Sequence, residues 1–285
     1  MERAVGRERL KPCGALRRGS GLVGKGERMG PKRLFLLGSG YLDIDRSVFI
    51  TGSRPGTRLR APVYCGLIEC DEGYVLVDTG LNPTGIEDPE SAWGVRAKEA
   101  PPSMTPADDV RSRLRELGIG PEEIKWVINT HLHWDHTGAN RFFKQARFVV
   151  QKVEYDFAWN PPAEFQKFYM SNHFRYPLDY WPVEGDLELM PGLKLLSTPG
   201  HTIGHQSVMV ELPRSGPVIL AGDAVYLEEN IRRRVPPGNC WSAESSLSSL
   251  DKLGRLAEQK KAVIMPGHDP DWWQNVRHSP SDYYG

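Results

Sequence analysis

Short apolar runs recur along this chain, and five of them lead directly into residues that can bind metal ions. Such runs, when bounded by polar residues or glycine, are typical of buried β-strands. The five runs are residues 74–77, 124–130, 193–196, 218–220 and 262–265, and they lead into Asp78, the 131–136 segment, His201, Asp223 and His268. Because α/β sheets place their ligands beyond the carboxyl ends of strands, this pattern predicts one site assembled from several strand ends.

The remaining patterns predict the elements between these strands. Residues 34–37 are predicted to form a first strand that closes at residues 38–40, with residues 47–50 as a candidate extension. Residues 64–68 are predicted to pair with 74–77, and residues 207–210 with 218–220. Residues 81–104 are rich in Pro, Gly and acidic residues, and are predicted to form a long loop. Two helices are predicted, one capped at Thr105 with Val110, Leu114 and Leu117 on its apolar face, and one capped at Ser242 with Leu247, Leu250, Leu253 and Leu256.

The order of these elements predicts an α/β protein with two sheets and helices on the outside. The length of 285 residues allows one large domain or two small ones. Residues 1–28 stand apart, because they carry eight basic and three acidic residues without apolar periodicity. We interpret them as a disordered basic tail, or as a start codon assigned too early with Met29 as the true start. An interaction arm is the remaining alternative.

Charge and composition narrow the classes of partner. The formal net charge is zero, so no overall field attracts nucleic acid or a membrane surface. No apolar run reaches the roughly 18 residues that a membrane-spanning helix needs. The four cysteines, Cys13, Cys65, Cys70 and Cys240, show neither a CxxC motif nor the spacing of a secreted disulfide framework. They are expected to be free thiols, which predicts a reducing cytoplasm.

The segment from His131 to His136 is the densest group of candidate ligands in the chain. It contains His131, His133, Asp135 and His136 within six residues, in a chain that has only eight histidines. His131 and His133 can point to one side, and Asp135 and His136, beyond a turn, to another. This arrangement suits two adjacent metal ions better than one. A ligand set of nitrogen and oxygen without thiolate suits Zn²⁺, Mn²⁺, Fe or Co²⁺.

Residues 153–181 are unusually aromatic, and two interpretations stay open for them. The segment either packs on the body of the protein as a helical excursion, or lines an apolar pocket as a lid or wall. Asp78 is similarly ambiguous from local sequence. It is either a turn residue or a partner that orients a ligating histidine, and the local sequence favours the turn.

Taken together, the motifs resemble the metallo-β-lactamase fold. The resemblance rests on the 131–136 cluster followed by His201, Asp223 and His268, with Asp78-Thr79-Gly80 as the opening motif, and covers roughly residues 32–278. Within that superfamily the chain resembles the N-acyl-homoserine lactonases, through the segment 200–207, through Tyr226 three residues after Asp223, and through the ending Gly267-His268-Asp269. One departure is Trp134, where known members often have Phe.

The resemblance implies a fold, a ligand set and a reaction. The fold would be a single αββα sandwich over residues 29–285, with two mixed β-sheets and helices on the outside. One metal would be bound by His131, His133 and His201, a second by Asp135, His136 and His268, and Asp223 would bridge them. Zn²⁺ is the first choice for both metals, with Co²⁺, Mn²⁺ or Fe as alternatives. Asp78 and His205 would lie behind the ligands.

The implied reaction is the opening of the lactone ring of an N-acyl-homoserine lactone by a hydroxide held between the metals, which is quorum quenching. Tyr226 would donate a hydrogen bond to the carbonyl oxygen, and Asp135 would carry a proton to the leaving oxygen. Trp134, Phe174 and Tyr226 would contact the substrate. A homodimer is left open. The alternatives are a glyoxalase-II-like thioesterase, a phosphotriester hydrolase or a mononuclear-iron persulfide dioxygenase.

Overall fold

A seven-stranded mixed sheet forms the amino-terminal half of the molecule. The computed structural model describes residues 30–285, so the predicted tail and the alternative start at Met29 lie outside the described residues. The strands are β1 (Pro31–Asp45), β2 (Arg58–Cys70), β3 (Gly73–Val77), β4 (Pro102–Ser103), β5 (Ile124–Ile128), β6 (Arg147–Gln151) and β7 (Asp179–Val183). Their order is β4-β1-β2-β3-β5-β6-β7. The last four of these, from β3 onward, are parallel.

A second, five-stranded mixed sheet follows in the chain. Its strands are β8 (Leu187–Met190), β9 (Leu193–Ser197), β10 (Gln206–Leu212), β11 (Gly216–Leu220) and β12 (Val263–Met265), in the order β12-β11-β10-β9-β8. Only β11 and β12 pair in parallel among these strands. Strands β9, β11 and β12 therefore run in one direction, and their carboxyl ends lie at the same edge of the sheet.

The described residues also contain helices, most of them short. They are α1 (Pro89–Trp93), α2 (Arg96–Glu99), α3 (Val110–Glu116), α4 (Lys152–Trp159), α5 (Ser171–Phe174), α6 (Glu228–Arg233), α7 (Ala243–Lys260) and α8 (Pro270–Trp273). The long helix α7 begins where its sequence predicts, because the Ser242 hydroxyl accepts a hydrogen bond from the Ser245 N–H. In the part of the chain that the structure describes, no helix is both long and apolar enough to cross a membrane.

The main core lies between the two sheets. Because side chains alternate along a strand, Leu34 and Leu36 of β1 face this core while Phe35 and Leu37 face the opposite side, toward α3. On the second sheet, Leu250 and Leu253 of α7 cover the outer face. A Cβ at Gly66 would lie 2.7 Å from Leu220 Cδ1, so the sheets touch closely at this point. The order of layers is helix, sheet, sheet, helix, which confirms the predicted αββα sandwich.

Several local predictions are wrong at their boundaries. Strand β1 does not close at residues 38–40 but continues to Asp45, because a register shift and the positive φ of Gly40 (95°) bend the strand without ending it. Residues 46–48 form a 3₁₀ turn and do not extend a strand. The predicted loop 81–104 contains α1, α2 and β4. Helix α3 begins at Val110 with Asp109 as its cap, while Thr105 begins a separate 3₁₀ turn.

Candidate metal centre

The five strand ends that the sequence singled out meet at one edge of the sandwich. Asp78 follows β3, the segment from His131 to His136 follows β5, and His201 lies in the loop after β9. Asp223 and His268 follow β11 and β12. All seven predicted ligands are buried: His131, His133, Asp135, His136, His201, Asp223 and His268. Their nitrogen and oxygen atoms converge in two groups of three, and a third group, His131, His136 and Asp223, links them; the atoms of each group lie within 4.8 Å of one another.

The first group contains His131, His133 and His201. His201 Nε2 lies 3.0 Å from His133 Nδ1, and the His131 and His133 rings are 4.5 Å apart at their centroids. The second group contains Asp135, His136 and His268. Asp135 Oδ2 is 3.8 Å from the Nε2 atom of each histidine in that group.

The Asp223 carboxylate lies between the two groups and faces both. Its Oδ2 atom is 3.3 Å from His201 Nε2 and 3.7 Å from His131 Nε2. Its Oδ1 atom is 3.2 Å from the Nε2 atoms of both His136 and His268. One oxygen is thus directed at each group, which is the arrangement that a bridging carboxylate requires.

Three buried polar atoms of this cluster lack a hydrogen-bond partner, as expected for atoms that bind metal ions. His131 Nε2, His136 Nε2 and Asp223 Oδ1 are buried and have no hydrogen-bond partner. Leaving a buried polar atom without a partner costs about 1–3 kcal/mol, so three such atoms facing one space call for a ligand. Imidazole nitrogen and carboxylate oxygen are suitable donors for a divalent metal ion.

In His268 and His201, the ring nitrogen that points away from the cluster has a partner that fixes the tautomer. His268 Nδ1 lies 2.8 Å from the Pro62 carbonyl oxygen, and His201 Nδ1 lies 3.0 Å from the Asn239 carbonyl oxygen. A carbonyl oxygen only accepts, so each Nδ1 carries the proton and each Nε2 keeps a lone pair toward the cluster. Metal-binding histidines are commonly oriented in this way.

Asp78 orients two of the histidines. Its Oδ2 atom accepts a hydrogen bond from His136 Nδ1 at 2.8 Å and one from the Thr130 hydroxyl at 2.8 Å. Because the Thr130 hydroxyl donates to Asp78, its oxygen accepts from His131 Nδ1 at 3.0 Å. Asp78 Oδ1 accepts the Thr130 N–H at 2.8 Å. Asp78 also has φ of 59°, so the turn that local sequence favoured and the orienting contact occur together.

Burial and neighbouring charges shift the pKa values of the histidines in opposite directions. Burial lowers the pKa of His131 and His133 well below the usual range and also lowers the pKa of His201, which favours the neutral imidazole that binds metal. At His136 burial works in the same direction, but the Asp223, Asp78 and Asp135 carboxylates outweigh it and raise the pKa well above its usual value.

His205 lies behind the cluster and takes part in none of the three groups. Its Nε2 atom accepts the backbone N–H of Asp223 at 3.0 Å, and its Nδ1 atom is 2.9 Å from the Thr198 hydroxyl. Tyr226 lies beside the cluster, with its hydroxyl 3.1 Å from His201 Nδ1 and its ring in contact with the rings of Phe49, His201 and His268. Burial raises the pKa of Tyr226 well above its usual value, so the phenol keeps its proton and remains a donor.

Trp134 and Phe174, which were predicted to contact the substrate, lie in different apolar clusters. Phe174 is fully buried and packs against Trp159, in a cluster with Leu132 and Tyr169. Its contact with substrate stays a prediction, because the side chain is enclosed by this cluster in the structure. Trp134 is also buried, but it packs in the same apolar cluster as Tyr226, and its contact with substrate stays a prediction.

Both interpretations of residues 153–181 apply in part. The face of this segment that carries Ala158, Tyr169 and Phe174 is core. Three of its other aromatics, Phe157, Phe165 and Phe168, line a narrow pocket with Tyr169, and this pocket reaches His133 and His201. Trp241 also lines this pocket.

Sequence reasoning missed several residues that support the cluster. Thr130 precedes the motif directly, and its position after a buried strand was the available signal. The carbonyl groups of Pro62 and Asn239 gave no signal, because a backbone oxygen is the same in every residue. Glu154 was also missed, because the exposed Asp156 lies only two residues further along and local sequence does not distinguish the buried carboxyl group from it.

An αββα sandwich that gathers buried His and Asp side chains at one edge defines a class of proteins that use divalent metal ions. The metallo-beta-lactamase superfamily profile matches residues 59–268 of this chain. A Bacillus cereus N-acyl homoserine lactonase is 35% identical over 239 residues, which are 84% of this chain and 93% of that protein. The chain belongs to the N-acyl homoserine lactonase family of the metallo-beta-lactamase superfamily.

Further relatives agree in sequence and in structure. The N-acyl homoserine lactonase AttM of Azorhizobium caulinodans is 32% identical over 262 residues, which are 88% of this chain and 98% of that protein. A solved N-acyl homoserine lactone hydrolase, with the product N-hexanoyl-L-homoserine bound at its catalytic metal centre, superimposes with a TM-score of 0.80 at 33% identity. That comparison covers 90% of this chain and all of the other.

Proposed function

We propose that this protein hydrolyses N-acyl-homoserine lactones to N-acyl-homoserines. Relatives at 32–35% identity that match over most of their length are N-acyl homoserine lactonases. A structural neighbour holds the product of that reaction at its metal centre. The single observation on this chain that carries the proposal is the convergence of seven buried ligands, with Asp223 facing both groups and Tyr226 beside them.

The proposed reaction uses two divalent metal ions, and Zn²⁺ is the first choice for both. His131, His133 and His201 would hold one ion and Asp135, His136 and His268 the other, with the Asp223 carboxylate facing both groups. Such ions supply Lewis acidity, which lowers the pKa of water and polarises a carbonyl group. The chain's own part is to keep His131 and His136 in the correct tautomer through Thr130 and Asp78, and to exclude bulk water by burial.

Tyr226 and Asp135 have the direct roles in the reaction. Hydrolysis adds water to the lactone carbonyl carbon and breaks the ring C–O bond, giving one carboxylic acid and one hydroxyl. The Tyr226 hydroxyl donates a hydrogen bond to the carbonyl oxygen, whose charge grows in the transition state. Asp135 takes up a proton from the attacking water and transfers it to the leaving ring oxygen.

A comparison of substrates tests this proposal. The purified protein is assayed for acid release with acyl-homoserine lactones, a thioester and a persulfide, and its metal content is measured in the same preparation. We expect acid release from the lactones to be fastest. A preference for the thioester would favour a glyoxalase-II-like activity, and oxidation of the persulfide with one iron per chain would favour a dioxygenase.

We further propose that residues 29–285 form one catalytic domain that acts in the cytoplasm. The described part, residues 30–285, is a single pair of packed sheets. Cys65, Cys70 and Cys240 are free thiols. Size-exclusion chromatography with light scattering would test whether the protein forms a homodimer.

A further inference from the structure

Glu154 is a fully buried carboxyl group that takes no part in the proposed chemistry. It lies in the first turn of α4, at the start of the aromatic segment, and its relative exposure is 0%. Burying an ionisable group in an apolar region is costly unless hydrogen bonds compensate for the lost water. The contacts of Glu154 therefore show what this acidic residue does in the fold.

The Glu154 carboxylate joins the two loops that carry the first group of ligands. Its Oε1 atom accepts the N–H of Leu132 at 3.0 Å, and Leu132 lies between His131 and His133. Its Oε2 atom accepts the N–H of Gly204 at 3.1 Å, in the loop that carries His201. A hydrogen bond from the Tyr169 hydroxyl to Oε1, at 3.1 Å, fixes the carboxylate from the third side.

Gly204 shows how closely these parts are fitted. A Cβ at this position would lie 2.5 Å from the Glu154 backbone nitrogen and 2.6 Å from the Glu154 Cβ. Only glycine allows the His201 loop to approach α4 closely enough for its N–H to reach the carboxylate. The aromatic segment 153–181 also contacts the loop of residues 131–136 directly, because the Trp134 N–H donates to the Phe168 carbonyl at 3.0 Å.

We propose that Glu154 is a positioning residue that sets the separation of the His131–His133 and His201 loops, and thereby the affinity of the first metal group. This inference rests on the proposed function only for the presence of the metal. The physical reason is that three imidazoles bind one ion tightly only if their backbones are held at fixed positions before the ion arrives. Partners behind metal ligands typically contribute about 10–100-fold in metal affinity.

The test compares Glu154→Gln with the wild type by chelator competition for Zn²⁺ and Co²⁺. Glutamine keeps the shape of the side chain, and its oxygen can still accept from Leu132 and Tyr169. Its amide NH₂ group, however, faces the Gly204 N–H, so the hydrogen bond to Gly204 is lost and two N–H donors face each other. We expect one of the two ions to bind about 10–100-fold more weakly. Glu164→Gln is the matched control, since Glu164 is exposed in the same segment, and its metal affinity should be unchanged.

The melting temperature of the metal-free protein distinguishes positioning from a general structural role. If Glu154→Gln lowers this temperature while both metal dissociation constants stay at the wild-type value, the inference is overturned. If Glu154→Gln does not fold, Tyr169→Phe decides, because it removes one hydrogen bond to the carboxylate. A weaker but measurable loss of affinity in Tyr169→Phe supports the inference, and an unchanged affinity overturns it. A wild-type protein that binds no metal would contradict the proposed function itself.

Discussion

Replacing Asp78 by Asn should weaken metal binding through the tautomers of two histidines. Asp78 accepts three hydrogen bonds, from His136 Nδ1, the Thr130 hydroxyl and the Thr130 N–H. Asn has a similar shape and tolerates the left-handed backbone that this position adopts, so the substitution changes hydrogen bonding without straining the chain.

Asparagine can be placed in two orientations, and both are unfavourable. If its NH₂ group faces His136, that ring must present a lone pair at Nδ1 and carry its proton on Nε2, where it can no longer bind metal. The Thr130 hydroxyl would then donate to His131 Nδ1, and His131 would change tautomer in the same way. If the NH₂ group instead faces the Thr130 N–H, two buried donors oppose each other, which costs about 1–3 kcal/mol.

We expect either orientation to weaken metal binding by about 10–100-fold, the range typical of residues that orient metal ligands. Chelator competition with Zn²⁺ measures it directly. Asp156→Asn is a matched control, because the Asp156 side chain is 57% exposed and lies on the outer side of α4, so this substitution should leave the affinity unchanged. Wild-type affinity for both ions in Asp78→Asn would refute the reasoning.

Three further outcomes are expected. Asp223→Ala should lose metal and activity together, because Asp223 faces both groups, whereas His205→Ala should keep both metals; elemental analysis of the two variants checks this. Tyr226→Phe should lower kcat by up to about 10²-fold with metal content unchanged, since it removes one donor to the developing oxyanion, and steady-state kinetics would contradict this if kcat were unaffected. Deletion of residues 1–28 should leave the melting temperature and turnover unchanged, since these residues carry no apolar pattern.

The strand ends were predictable because burial and chemistry coincide in them. A short apolar run followed by Asp223 or His268 gives both the strand and the position of the ligand beyond its carboxyl end. The helix α7 was equally predictable, since Ser242 supplies a cap and the leucines supply one apolar face. These features depend on neighbouring residues along the chain.

The support of the ligands was not predictable in the same way. His268 is oriented by the carbonyl of Pro62, which lies 206 positions away in sequence, and Glu154 meets Gly204 across 50 positions. Contacts of this kind depend on how the sheets pack, and they leave no local pattern. The burial of Phe174 was not predictable for a related reason, because an aromatic residue near a predicted pocket can either line that pocket or pack in the core.

Titration of the metal-stripped protein with Zn²⁺, followed by acid release from an N-acyl-homoserine lactone, tests the central claim most directly. We predict that the stripped protein is inactive and that the rate rises to a plateau at two equivalents of metal per chain, because Asp223 and its neighbours form two groups. Full activity without metal, or a plateau at one equivalent, would contradict a site that acts through two ions.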